Sequence, residues 1–171
     1  MTPKEQNARF DEWIAAHGAI LHHVANGFAE PSDRHDLMQE LLLAVWKALP
    51  AFREASRPST FIFRVAHNVA LTWKRGQKNY QKNVDAFSAE LTAGAADPAT
   101  SRESEALHLL YSEIRKLPPV DRSLVLLYLD RASYAEISEV HGLSEANVGT
   151  RLTRLKQKLC DAMKEVSREL R

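Results

Sequence analysis

The stretch Ser133–Leu159, SYAEISEVHGLSEANVGTRLTRLKQKL, decides how this chain is built. Tyr134, Ile137 and Val140 recur at helical spacing, as do Val148, Leu152, Leu155 and Leu159. Between the two runs lies His141-Gly142-Leu143, followed by Ser144, a good helix N-cap, and Glu145, which favours the positive start of a helix. Small Ser138, turn-forming Gly142 and apolar Val148 have the spacing of a helix-turn-helix. A small residue lets the helices approach, glycine accepts the left-handed turn, and the apolar residue packs inward. Winding the second helix at about 100° per residue puts Val148, Leu152, Leu155 and Leu159 on one buried seam. Ala146, Thr150, Thr153, Arg154 and Gln157 fall opposite, flanked by Arg151 and Lys158 on one side and Lys156 on the other. Arginine can satisfy both acceptors of a guanine edge, and Thr and Gln reach base edges or phosphates. Basic charge alone would describe a solvated helix face; combined with this turn spacing it points to DNA.

Working backward, Leu107, Leu110, Ile114 and Leu117 form a helical stripe that stops at Pro118-Pro119. A further helix is expected from about Asp121, its cap, carrying Leu124, Leu127 and Tyr128 on its apolar side. Upstream, the run DAFSAELTAGAADPATSRESEA loses helical periodicity and collects Ala, Ser, Thr, Gly and Pro, the composition of a tether. We therefore divide the chain into an N-terminal helical domain (1–80), a flexible acidic linker (81–101) and a C-terminal helical domain (102–171). The expected fold class is all-α, two small helical domains.

Charge follows that division. The total is +1, yet Arg53–Lys82 carries +6, Asp85–Glu105 carries −4 and Glu145–Leu159 carries +3. The first basic zone follows the amphipathic helix DLMQELLLAVWKAL (Asp36–Leu49), whose inner face is Leu37, Leu41, Ala44, Val45 and Ala48, widened by Met38 and Leu42. Pro50 breaks that helix, a basic loop runs from Phe52 to Ser59, and Ser59 or Thr60 is expected to cap a helix with Phe61, Ile62, Val65, Ala66, Val69 and Trp73. Bases beside aromatics and an amide, Asn68, suit single-stranded DNA, whose unstacked base can enter a pocket and be read on its edge. By composition alone that signal is weak, and Phe61, Phe63 and Trp73 are more often core residues.

Composition excludes other classes. Hydrophobic content of 44% with 26% charged residues describes a globular chain. No apolar run approaches the roughly 20 residues needed to cross a bilayer, and the start MTPKEQNARFDEW lacks the apolar core of a secretory signal. No membrane insertion is expected. The single cysteine, Cys160, permits no internal disulfide, fits a reducing cytoplasm, and is expected to be a small buried hydrophobe. His17, His22 and His23, or Asp33, His35 and Asp36, could suggest a metal or acid–base site, but isolated His and Asp on short helices without a second ligand set argue for surface residues. No enzyme activity, metal or cofactor is expected. An ordinary helix-turn-helix regulator with an N-terminal effector or dimerisation domain, binding its operator unaided, is another reading of the C-terminal half.

Both halves, in this order, resemble the sigma-70 family of RNA polymerase sigma factors, specifically the extracytoplasmic-function (ECF) group, over about residues 10–165. DLMQELLLAVWKALPAF is similar to the segment that binds the clamp helices of the polymerase β′ subunit. FREASRPSTFIFRVAHNVALTWKRG is similar to the segment that recognises and opens the −10 element. LPPVDRSLVLLYLDRASYAEISEVHGLSEANVGTRLTRLKQKL is similar to the domain that contacts the β flap and reads the −35 element. The resemblance implies core-polymerase binding by Asp36, Gln39, Glu40 and Trp46, the last of which is equally a core residue. It implies −10 binding by Phe52, Arg53, Ser59, Thr60, Phe61 and Asn68, with Arg64, Lys74 and Arg75 on phosphate. It implies −35 binding by Ser144, Asn147, Thr150, Arg151, Thr153 and Arg154, with Lys156 and Lys158 towards phosphate. The implied partners are core polymerase, promoter DNA and an anti-sigma factor, the family's usual regulator. The acidic linker either imitates nucleic acid in the polymerase channels or is a plain spacer. Three positions depart from the pattern: Gly149 where a basic residue is common, His141 in place of an aliphatic residue, and FREASRPST where Gly-Asp often follows Phe-Arg.

Overall fold

The computed structural model describes residues 2–85 and 102–169, and the described residues contain helices and no strand. The chain divides into two compact units, Met1–Asp97 and Pro98–Arg171. The expected linker falls largely outside the described residues.

Three helices that all pack on one another make the first unit: α1 (Pro3–Phe28), α2 (Arg34–Ala48) and α3 (Pro58–Asp85). The sequence reading set no limits for α1, although its start signal is explicit. Thr2 and Glu5 form a reciprocal capping box, with the Thr2 amide donating to the Glu5 carboxylate at 2.7 Å and the Glu5 amide to the Thr2 hydroxyl at 3.3 Å. The backbone amide of Thr2 is the main reason the Glu5 carboxyl is held below its ordinary range. His17, His22 and His23 thus lie on a 26-residue helix, not a short one, and the described residues contain no cluster of three metal-ligating side chains. Trp13, Ile20, Leu21, Val24 and Phe28 of α1 meet Leu37, Leu41 and Val45 of α2 and Ile62, Phe63, Ala66 and Ala70 of α3 in one core. Ala66 and Ala70, both fully buried, leave α3 room to lie close against its neighbours. Helix α3 starts ahead of both expected caps, one residue before Ser59 and two before Thr60, because Pro58 occupies its first position, where a fixed φ and a missing N–H cost nothing. It also continues past Tyr80 to Asp85.

The second unit contains α4 (Arg102–Lys116), α5 (Pro119–Leu129), α6 (Tyr134–His141) and α7 (Glu145–Glu169). The expected cap of α5 is corrected in the same way: Pro118 is the cap residue, Pro119 opens the helix, and Asp121 sits within the first turn. Among the described side chains of α4 Tyr111 is the first buried one, and Leu107 at the start of the expected stripe is exposed. Helix α5 is buried from Arg122 through Leu127, while Tyr128, expected inside, stands at the surface. Arg122 is 2% exposed. Its guanidinium Nη2 donates to the carbonyl of Leu117 at 2.9 Å and to that of Arg115, carbonyls at the end of α4 that no further helical turn can satisfy. The LPPVDR segment therefore ends one helix, starts the next and ties the two together. Val148, Leu152, Leu155 and Leu159 form the inner seam of α7 as the winding requires. Cys160 does not join it: one residue on from Leu159 is about 100° of rotation, and its side chain is exposed.

Candidate nucleic-acid interface

In the second unit the turn between α6 and α7 is closed at every position. Ser133 and Glu136 form a second capping box at the start of α6 (2.8 and 3.2 Å). Gly142, at φ +65°, ends α6 in the left-handed conformation and its amide reaches the Ser138 carbonyl at 2.8 Å. Ser138 contributes more than small size, since its hydroxyl donates to the Leu143 carbonyl and spans the turn. Ser144 caps α7, accepting from the Asn147 amide at 3.2 Å. Gly149 has a packing reason as well: a Cβ there would stand 3.3 Å from the Tyr134 ring.

On the outward side of α7, Ala146, Asn147, Thr150, Thr153, Arg154, Lys156, Gln157 and Lys158 are all exposed. The hydroxyls of Thr150 and Thr153 turn back to the carbonyls of Ala146 and Gly149 (3.0 and 2.9 Å). Lys156 holds its ammonium 4.7 Å from the centre of the Tyr128 ring, which accounts for the exposed tyrosine. Gln157 is bonded to both carboxylate oxygens of Asp161 at 3.0 Å. Arg151 differs from its neighbours. Its guanidinium donates to the Asp121 carboxylate at 2.7 Å, with side-chain exposures of 30% and 21%. Beside it, burial first and the Arg151 charge second push His141 below its ordinary 6.5. Arg154 has no ion pair among the described residues, so its donors are available to a partner.

In the first unit, Asp36, Gln39 and Glu40 are exposed along α2, with Gln39 bonded to the His35 ring at 2.9 Å. Trp46 is neither free nor core. Its indole N–H donates to Asn7 at 2.9 Å, its carbonyl accepts from Gln6 at 2.8 Å, and its ring remains partly exposed beside Leu43. In the connection from α2 to α3, Phe52 lies edge-to-face between Trp13 (4.9 Å) and Phe61 (5.1 Å). Arg53 is exposed, Ser59, Phe61 and Arg64 are half-buried, and Thr60 is 5% exposed. Asn68 is exposed in an open groove of about 420 Å³ between α2 and α3, lined also by Glu40, Val69, Thr72 and Trp73. The structure thus brings Asn68 together with Glu40, and Phe52 with Phe61. Lys74 and Arg75 fall on α3 at positions whose side chains lie outside the described residues. Sequence reasoning missed Arg9, whose guanidinium stands 5.6 Å from the Trp13 ring and 5.5 Å from Phe52 and pairs with Glu54 at 3.3 Å.

A helix-turn-helix that shows Thr, Asn and Arg to solvent, on the same chain as a basic loop set among aromatics, defines a DNA-binding transcription protein. Residues 13–80 match the family model "Sigma-70 region 2" and residues 107–159 match "Sigma-70, region 4". The chain is 29% identical over 127 residues to the RNA polymerase sigma factor YlaC of Bacillus subtilis, covering 72% of this chain and 73% of that one. It is 29% identical over 140 residues to the ECF RNA polymerase sigma-E factor of Escherichia coli K12, covering 76% and 73%. Its fold is similar to that of the sigma factor RpoE solved with the anti-sigma factor NepR from Bartonella quintana (TM-score 0.69, 17% identity, 90% of this chain and 95% of that one). It is similar too to CnrH, solved with the cytosolic domain of CnrY (TM-score 0.64, 22% identity, 93% and 90%). The chain belongs to the sigma-70 family, in its ECF group. It is a promoter-recognising initiation factor for RNA polymerase and not an enzyme. No helix among the described residues is long and apolar enough to cross a membrane.

Proposed function

We propose that the two units divide promoter recognition along the residues described above. The second unit, 102–171, reads the −35 element: Arg154 contacts a base edge, Ser144, Asn147, Thr150 and Thr153 contact bases or backbone, and Lys156 and Lys158 neutralise phosphate. In the first unit, 1–80, Phe52, Arg53, Ser59 and Phe61 form the loop that takes up an unstacked −10 base. Asn68 approaches the same base from α3, and Arg64, Lys74 and Arg75 follow the backbone. Thr60, being buried, supports the loop instead of touching DNA. Asp36, Gln39, Glu40 and Trp46 meet the β′ clamp helices, the second unit meets the β flap, and the segment between α3 and α4 is the tether. The factor works in the cytoplasm. NepR and the CnrY cytosolic domain accompany two sigma factors of this fold, which supports an anti-sigma factor as a further partner.

The observation that carries this reading is the outward face of α7, where exposed Arg154 follows a turn braced by Ser138, Gly142 and Ser144. With a net charge of +1 the free chain should hold DNA weakly, becoming competent once polymerase sets the distance between the units. Run-off transcription from a promoter library, with core polymerase and this protein, tests it. Initiation should depend on both elements; operator-like binding without polymerase would refute the assignment.

A further inference from the structure

The loop from Phe52 to Arg57 is held by a helix to which neither DNA nor polymerase contact has been assigned. Glu54 has φ +58°, a left-handed conformation unfavourable for a residue with a Cβ, and its side chain meets Arg9 of α1. That ion pair is exposed (36% and 78%) and by itself holds little. The same guanidinium, however, lies against both Trp13 and Phe52, and Phe52 in turn is wedged edge-to-face between Trp13 and Phe61. At the other end of the connection, Gln6 and Asn7 fasten Trp46 to the same opening turns of α1. The opening turns of α1 thus hold both the end of α2 and the loop that follows it.

We propose that Arg9 is a positioning residue for −10 selectivity. It sets where Phe52 and Arg53 stand before DNA arrives, by coupling the left-handed Glu54 and the Phe52 ring to α1, and does not itself read a base. The inference rests on the proposed role of the loop in −10 recognition. It explains how FREASRPST can keep one shape without a glycine: contacts from α1 stabilise the strained turn.

The test uses the full chain with core polymerase, and two promoter sets substituted only in the −10 or only in the −35 element. The variants are Arg9→Ala, Arg9→Lys, Glu54→Asn and, for the loop itself, Arg53→Ala. Arg9→Ala should lower −10 discrimination by about two- to fivefold, the scale of one cation–π anchor, and leave −35 discrimination unchanged. Arg9→Lys should recover part of it, keeping charge but not the planar stack. Glu54→Asn keeps a residue tolerant of the left-handed turn and removes the partner, so it should reproduce part of the loss even if Arg9→Ala folds poorly. If Arg53→Ala changes −10 discrimination and Arg9→Ala does not, the inference fails and the loop assignment stands. If neither changes it, the loop assignment fails and takes the inference with it. Equal losses on both promoter sets would make Arg9 merely structural, or a phosphate contact if they steepen with salt, and either overturns the proposal.

Discussion

Arg151 and Arg154 lie three residues apart on α7, and the structure predicts different consequences for losing them. Arg151 donates at 2.7 Å to Asp121, in the first turn of α5, and both side chains are more than two-thirds covered. A charge-assisted hydrogen bond is worth about 1.5–3 kcal/mol, and partial exposure brings the pair down to about 1 kcal/mol. To read a base Arg151 must first forfeit that, which offsets between a third and all of the about 1–3 kcal/mol that a base contact returns. Arg154 has no such competitor among the described residues. Arg154→Ala should therefore relax −35 selectivity by about 1–3 kcal/mol without changing stability. Arg151→Ala should relax selectivity less than Arg154→Ala does and lower the melting point of the second unit by about 4–8 °C, the shift expected per kcal/mol for so small a domain. The assay is a double-mutant cycle of Asp121→Asn and Arg151→Ala followed by thermal melting, beside promoter competition with the holoenzyme. A coupling near zero, with Arg151→Ala relaxing −35 selectivity as far as Arg154→Ala does, would refute the reasoning.

Arg122→Met should cost the second unit about 3 kcal/mol, two charge-assisted bonds less partial repacking, and denaturant titration should register it there while the first unit is unaffected. The folded pKa of His141 lies below 6.5 through burial and then the Arg151 charge, so the folded unit takes up a proton less readily than the unfolded chain. Stability is then whole above that value and declines as pH falls from it towards the folded pKa; His141→Gln should flatten this decline in melting curves, and an unchanged slope would count against it. Cys160, exposed on α7, should react with a water-soluble maleimide in native buffer, whereas labelling only in denaturant would restore the buried reading.

Faces were legible in this sequence where the helical period is regular. The α7 seam, the Leu37, Leu41 and Val45 stripe and the Gly142 turn could all be read from spacing, because burial on one side of a helix repeats every turn. Helix α1 was harder, its apolar residues being diluted by His17, Gly18, His22 and His23, yet Thr2 and Glu5 already spell a capping box. The exposure of Cys160 was available from the same wheel that fixed the seam. What spacing could not supply is the partner of a charge. Arg122 looks like any helical arginine until the end of α4 is placed beside it, and Asp121 looks like a cap until Arg151 arrives from α7. Arg9 and Glu54 are 45 residues apart in the chain and meet only because α1 crosses the α2–α3 junction. Basic residues on one helix face are therefore not equivalent. Whether each reads DNA or braces the fold is decided by the acid on the neighbouring element, and that acid is chosen by the packing of the apolar faces.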